Sequence, residues 1–118
     1  MTAKKYCVTL RNTTFKKIDE MLKKMGFVEY EEISRDARAE YHFYWNDRQL
    51  HLRIFSLSES EEIFGIRAHT EPSIKTNPQW HMERLLERQA GDLREKSFYG
   101  SGCRKFKAML KQYRRSYK

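Results

Sequence analysis

Alternating apolar and polar positions mark five strands along the chain, and apolar stripes at helical spacing mark the helices between and after them. In Tyr6-Cys-Val-Thr-Leu10, Tyr6, Val8 and Leu10 recur at every second position, the period of a strand with one covered face. Phe15, Ile18, Met21, Leu22 and Met25 follow at three- and four-residue spacing, with Asn12 placed to cap that helix and Gly26 to end it. Phe27 to Ile33 reads as a second strand, and residues 34–38 as a polar turn. Tyr41, Phe43 and Trp45 alternate with His42 and Tyr44, while Leu50, Leu52 and Ile54 alternate with His51 and Arg53. A two-residue turn at Asp47-Arg48 predicts Trp45 opposite Leu50, Phe43 opposite Leu52 and Tyr41 opposite Ile54, which keeps both apolar sets on one face. After the Ser/Glu-rich loop 56–62, Phe64, Ile66 and Ala68 make a fifth strand. Asn77-Pro78 opens a second helix with Met82, Leu85 and Leu86 turned inward and Gly91 as its breaker. A last helix from about Gly102 carries Cys103, Phe106, Met109, Leu110, Tyr113 and Tyr117 on one stripe.

The order β-α-β(4)-α(α) predicts one α+β domain spanning residues 1–118, a two-layer sandwich whose antiparallel sheet has its helices packed on one face. This order of elements is similar to one half-repeat of the TATA-box-binding-protein fold. The first strand, the helix closing in Gly26-Phe27 and the strands after it also resemble the βαβββ module of the vicinal oxygen chelate family. That resemblance implies metal ligands from the first and last strands of a module. Here the first strand offers only Cys7, which points away from the Tyr6/Val8/Leu10 face.

Composition narrows the class. Apolar residues at 39% and aromatics at 14% suffice for a packed core, which excludes a disordered basic tail. No apolar run is long enough for a membrane span, and no apolar stretch follows Lys4-Lys5 as a secretion signal requires. Cys7 and Cys103 stand at opposite ends of the chain without a CxxC pattern. A cytoplasmic protein with reduced thiols, not bound to membranes, is the expectation. Charge adds more. The net charge of +8 lies wholly in residues 96–118, which hold Lys96, Arg104, Lys105, Lys107, Lys111, Arg114, Arg115 and Lys118 and no acid. Such asymmetry predicts a contact surface for an acidic partner.

Two regions then carry candidate chemistry. The basic last helix, about 102–118, offers Arg104, Lys105, Lys107, Lys111, Arg114 and Arg115 to phosphates, and Tyr99-Gly-Ser-Gly102 before it exposes backbone N–H groups at a helix start. The sheet face away from the helices is expected to be open, with Tyr44, His51 and Arg67 in one cross-strand row and His42, Arg53 and Gly65 in the next. Rings and guanidinium groups interleaved in this way suit single-stranded nucleic acid. The expected function is therefore non-enzymatic binding of DNA or RNA, with no cofactor and no catalytic residue. Two alternatives stand beside it. One is a homodimer through the exposed sheet face. The other is a metal or acid–base site in His69-Thr-Glu-Pro-Ser-Ile-Lys-Thr-Asn-Pro-Gln-Trp-His-Met-Glu83. Strand geometry puts His69 and Glu71 on one face, and helical phase lets only one of His81 and Glu83 join them. His69, Glu71 and His81 are the metal candidates. Cys103, beside Arg104 and Lys105 but on the apolar stripe, is expected to be a buried structural cysteine.

Overall fold

A computed structural model describes residues 6–31, 36–89 and 100–116. The elements are β1 (Val8–Arg11), α1 (Phe15–Lys24), β2 (Val28–Tyr30), β3 (Ala39–Trp45), β4 (Arg48–Ser56), β5 (Ile63–Pro72), α2 (Pro78–Gln89) and α3 (Ser101–Ser116). The strands form one antiparallel sheet in the order β1-β5-β4-β3-β2. The expected turn at Ser34, the helix break at Gly91 and the stripe member Tyr117 lie outside the described residues.

Alternation does set the two faces. Tyr41, Leu50, Leu52, Ile54, Phe64 and Ile66 are fully buried on one of them, beneath Ile18 and Leu22 of α1 and Phe106 and Leu110 of α3. Phe27 joins the layers by meeting both Phe43 of the sheet and Phe106 of α3. Helix α1 is capped by Thr14, whose hydroxyl accepts from the Lys17 amide at 3.2 Å, and not by Asn12. Asn12 instead takes a left-handed backbone (φ 55°) in the turn out of β1. At the other end Gly26 adopts φ 102°, which lets the Phe27 amide donate back to the Leu22 carbonyl and send Phe27 into the core.

The hairpin register differs from the expected one. Asn46 and Asp47 both have positive φ (43° and 60°), so the two-residue turn falls there and Trp45 pairs with Arg48. Phe43 therefore faces Leu50, Tyr41 faces Leu52 and Ala39 faces Ile54. The slip is of two residues, so every side chain keeps its face and only its cross-strand neighbour changes.

Three further expectations are corrected. Cys7 and Cys103 are not free thiols but a disulfide, joining the residue before β1 to the first turn of α3 with a Cα–Cα distance of 5.5 Å. The chain bends at Cys7, so Tyr6 leaves the Val8/Leu10 face and lies on the other side, against Phe55 and Arg67. Its ring occupies the space a Cβ on Gly65 would need. Finally, Met82, Leu85 and Leu86 of α2 do not turn inward but are about half exposed. One contact fixes how α3 sits. A Cβ on Gly102 would fall 2.5 Å from the Cα of His69, so only glycine lets the helix approach the β5 backbone this closely. The Gly-Ser-Gly stretch is therefore a packing device at Gly102.

Candidate functional site

The sheet face away from α1 and α3 is not the open surface that alternation alone suggests. Glu40, His42, Gln49 and His51 are buried there, together with Phe55. Part of the cover comes from the chain leaving β5: the Ile74 amide donates to Gln49 Oε1 at 2.9 Å, and the Lys75 ammonium lies 4.0 Å from the Tyr44 ring centroid. Tyr30 stacks on His42 with a centroid separation of 4.3 Å.

The observed register aligns three histidines. His42, His51 and His69 stand directly across β3, β4 and β5, with ring centroids 4.7 and 4.8 Å apart. Tyr44, Gln49 and Glu71 form the row on one side, and Glu40, Arg53 and Arg67 the row on the other. The rows expected from the sequence paired different residues and held no acid. Glu40 was missed because the strand begins earlier than expected. Carrying the alternation back two residues from His42 reaches it, and two residues back from His51 reaches Gln49.

Within this cluster the polar groups are mutually committed. His51 lies between two carboxylates: its Nε2 bonds Glu40 Oε1, and its Nδ1 is 3.4 Å from Glu71 Oε2. Arg53 Nε sits 3.3 Å from the same Glu40 oxygen. Glu71 Oε1 accepts from His69 at 2.8 Å, and Glu71 Oε2 accepts from the Gln49 amide. Burial by itself would depress His51, but the hydrogen bonds to Glu40 and Glu71 outweigh it and favour the imidazolium. Burial likewise acts to raise Glu71, yet His51 and His69 hold its carboxyl far below the usual range. His42 differs. Its Nδ1 meets the Tyr44 hydroxyl at 3.0 Å, whereas its Nε2 is buried with no hydrogen-bond partner among the described residues. Burial, reinforced by the neighbouring His51, pushes its pKa down to about 4, so the ring is neutral.

Of the three metal candidates read from the sequence, only part is brought together. Glu71 joins the cluster and His69 contacts it, but His81 donates from Nε2 to the Pro72 carbonyl at 2.7 Å. The set whose ligand atoms converge is His42, His51 and Glu71, with one donor atom from each within 4.8 Å of the others.

The basic helix lies on the opposite face of the sheet. Its apolar stripe packs inward, and Arg104, Lys107, Lys111, Arg114 and Arg115 are exposed. Lys105 is separated from them, its ammonium 4.1 Å from the Trp45 ring centroid. Between α3 and β1 runs a groove of about 450 Å³, floored by Val8 and Leu110 and edged by Lys107, Lys111, Arg114 and Arg115. No salt bridge joins these four cations to an acid among the described residues. The nucleic-acid set expected from the sequence is thus divided: Tyr44, His51, Arg53 and Arg67 belong to the other face and to its buried network. No helix among the described residues is long and apolar enough to cross a membrane. Neither a family model, nor a curated protein, nor a solved structure matches the chain.

Proposed function

We propose that the protein binds nucleic acid through the phosphate backbone, using the exposed cations of α3. The observation that carries the reading is the groove between β1 and α3, edged by four cations that no salt bridge joins to an acid among the described residues. Arg104, Lys107, Lys111 and Arg114 recur every three or four residues and Arg115 lies four beyond Lys111, so the five fall within one arc of the helix and extend over about 16 Å of its length. A linear array of this kind suits a regularly charged backbone better than a single compact anion. The sheet face drops out of the proposed interface, since its cations lie on the far side of the sheet beside buried carboxylates.

Neutralising four phosphates would give a slope of log K against log salt of about −3.6 on duplex DNA, or about a hundredfold loss of affinity between 50 and 200 mM salt. The test is fluorescence anisotropy with labelled single- and double-stranded DNA and RNA. The combined K111Q/R114Q/R115Q variant, whose substitutions are all at exposed positions, should lower the slope by about 2.7 while leaving the circular dichroism spectrum unchanged. An absence of binding to all four probes at 50 mM salt would overturn the reading. So would binding that the triple variant leaves intact.

A further inference from the structure

We infer that His42, His51 and Glu71 form a binding site for one divalent first-row transition-metal ion, zinc foremost. Two imidazoles and one carboxylate are a donor set that such ions accept, whereas calcium and magnesium prefer oxygen alone. The three residues come from three adjacent strands, β3, β4 and β5, so the sheet itself sets their spacing. Their donor atoms lie within 4.8 Å of one another. Ligands at about 2.0–2.1 Å on a tetrahedral centre stand about 3.4 Å apart. The widest pair must therefore close by about 1.4 Å, which small side-chain rotations accomplish.

An independent observation singles this cluster out from an ordinary buried polar network. His42 is 2% exposed, and its Nε2 has no partner among the described residues. Leaving such an atom unpaired in a fold costs the full desolvation of a polar group with nothing in return. Among the histidine and carboxylate side chains of the cluster, His51, His69, Glu40 and Glu71 are each engaged by a neighbour. The tautomer that frees Nε2 as a donor of its lone pair carries the proton on Nδ1, and the Tyr44 oxygen at 3.0 Å accepts it. His51 is held in the same manner. When the metal displaces the Nδ1 proton of His51 to solvent, Nε2–H still donates to Glu40, the carboxylate-behind-histidine arrangement that fixes the ring of a ligand and raises its basicity. His69 donates to the second oxygen of Glu71 and so orients the carboxylate without being needed as a ligand. Tyr44, Glu40 and His69 are positioning residues in this scheme. Arg53 pairs with Glu40 at 3.3 Å, which offsets part of its charge beside the site.

Three protein ligands leave coordination positions for water or a small ligand, unlike a closed four-ligand structural site. The exposed side of the cluster is at His69, whose side chain is 41% accessible, and that is where exchangeable ligands would enter.

The test is calorimetric titration of tag-free, chelator-treated protein with zinc, cobalt and manganese chloride, keeping the disulfide intact so that Cys7 and Cys103 cannot contribute. One zinc per chain is expected, with H42Q and E71Q each weakening it at least tenfold and Y44F weakening it less. Cobalt should give the visible absorption of a low-coordinate nitrogen–oxygen site, altered in H42Q. If these variants fail to fold, the wild-type histidine NMR signals decide: zinc should shift His42 and His51 at one equivalent and leave His81 in place. No binding of any of the three metals would overturn the inference. Zinc binding that H42Q and E71Q leave unchanged, or that shifts His81 alone, would overturn it equally.

Discussion

Substituting Gly102 with alanine tests the contact that seats the basic helix on the sheet. In most helices this change helps, by up to about 1 kcal/mol, because alanine loses less backbone entropy. Here the added methyl would lie 2.5 Å from His69 Cα, 2.7 Å from its carbonyl carbon and 2.9 Å from its nitrogen. All three are backbone atoms of β5, which pairs there with β4, so no rotamer change relieves the clash. Restoring ordinary contact requires α3 to retreat by about 1 Å. Cys103, Phe106 and Leu110, each no more than 3% exposed, would then be pulled from their partners. A radial gap of that size forfeits about a quarter to a half of the dispersion energy at the surfaces that separate. Overpacking of this sort costs about 1–3 kcal/mol, and with backbone on the other side the upper end applies. Subtracting the helical gain leaves a net loss of about 2 kcal/mol, or about 8 °C in Tm. Urea denaturation of the oxidised wild-type and G102A proteins, followed by circular dichroism, measures it. A variant more stable than wild type would refute the close approach of α3 to β5, since alanine would then show only its helix preference.

Other consequences are open to measurement in the same way. Tyr41 donates to Asp19 Oδ1 at 2.7 Å across the sheet–helix interface, so Y41F should cost about 1.5–2 kcal/mol. Burial acts to raise the Asp19 carboxyl, but hydrogen bonds from Tyr41 and Lys23 hold it below its usual value. The sign follows: this stabilisation is present above the unfolded-state pKa of about 3.9 and is lost as pH falls through the lower folded value. Wild type should therefore converge on Y41F in denaturation curves below pH 4. D47G should raise stability by about 0.5 kcal/mol, because Asp47 occupies φ 60° in the hairpin turn, where glycine fits without strain. A loss of stability would count against the Asn46-Asp47 turn and the register it sets. Reducing the disulfide opens a cross-link between residues 96 apart in sequence and should lower stability by about 3–4 kcal/mol, read as a shift in the urea midpoint with and without reductant.

Much of the architecture is legible in the chain because a strand has a side-chain period of two and a helix one of 3.6, whatever lies across from them. Tyr41, Leu52 and Ile66 on the covered face, and Phe106 and Leu110 on the inner stripe of α3, need no more than that. Gly26 as a helix stop is equally local. The concentration of positive charge in the last helix is compositional and survives any fold that leaves that helix on the surface.

The histidine row is a different kind of fact. A two-residue slip between strands leaves every side chain on its own face, so alternation is blind to it. Yet the slip in the β3–β4 hairpin decides whether His42 faces Arg53 or His51, and a separate one between β4 and β5 decides whether His51 meets Arg67 or His69. The hairpin slip came from the conformations of Asn46 and Asp47, which the residue names alone do not distinguish from a turn one position later. Burial of the row, the pairing of Cys7 with Cys103 and the close seat of Gly102 on His69 all depend on groups far apart in sequence. Periodicity assigns a residue to a face because it is a property of one segment. Its neighbour across the sheet, and with it the chemistry of the site, is a property of two, and only the packed structure brings them together.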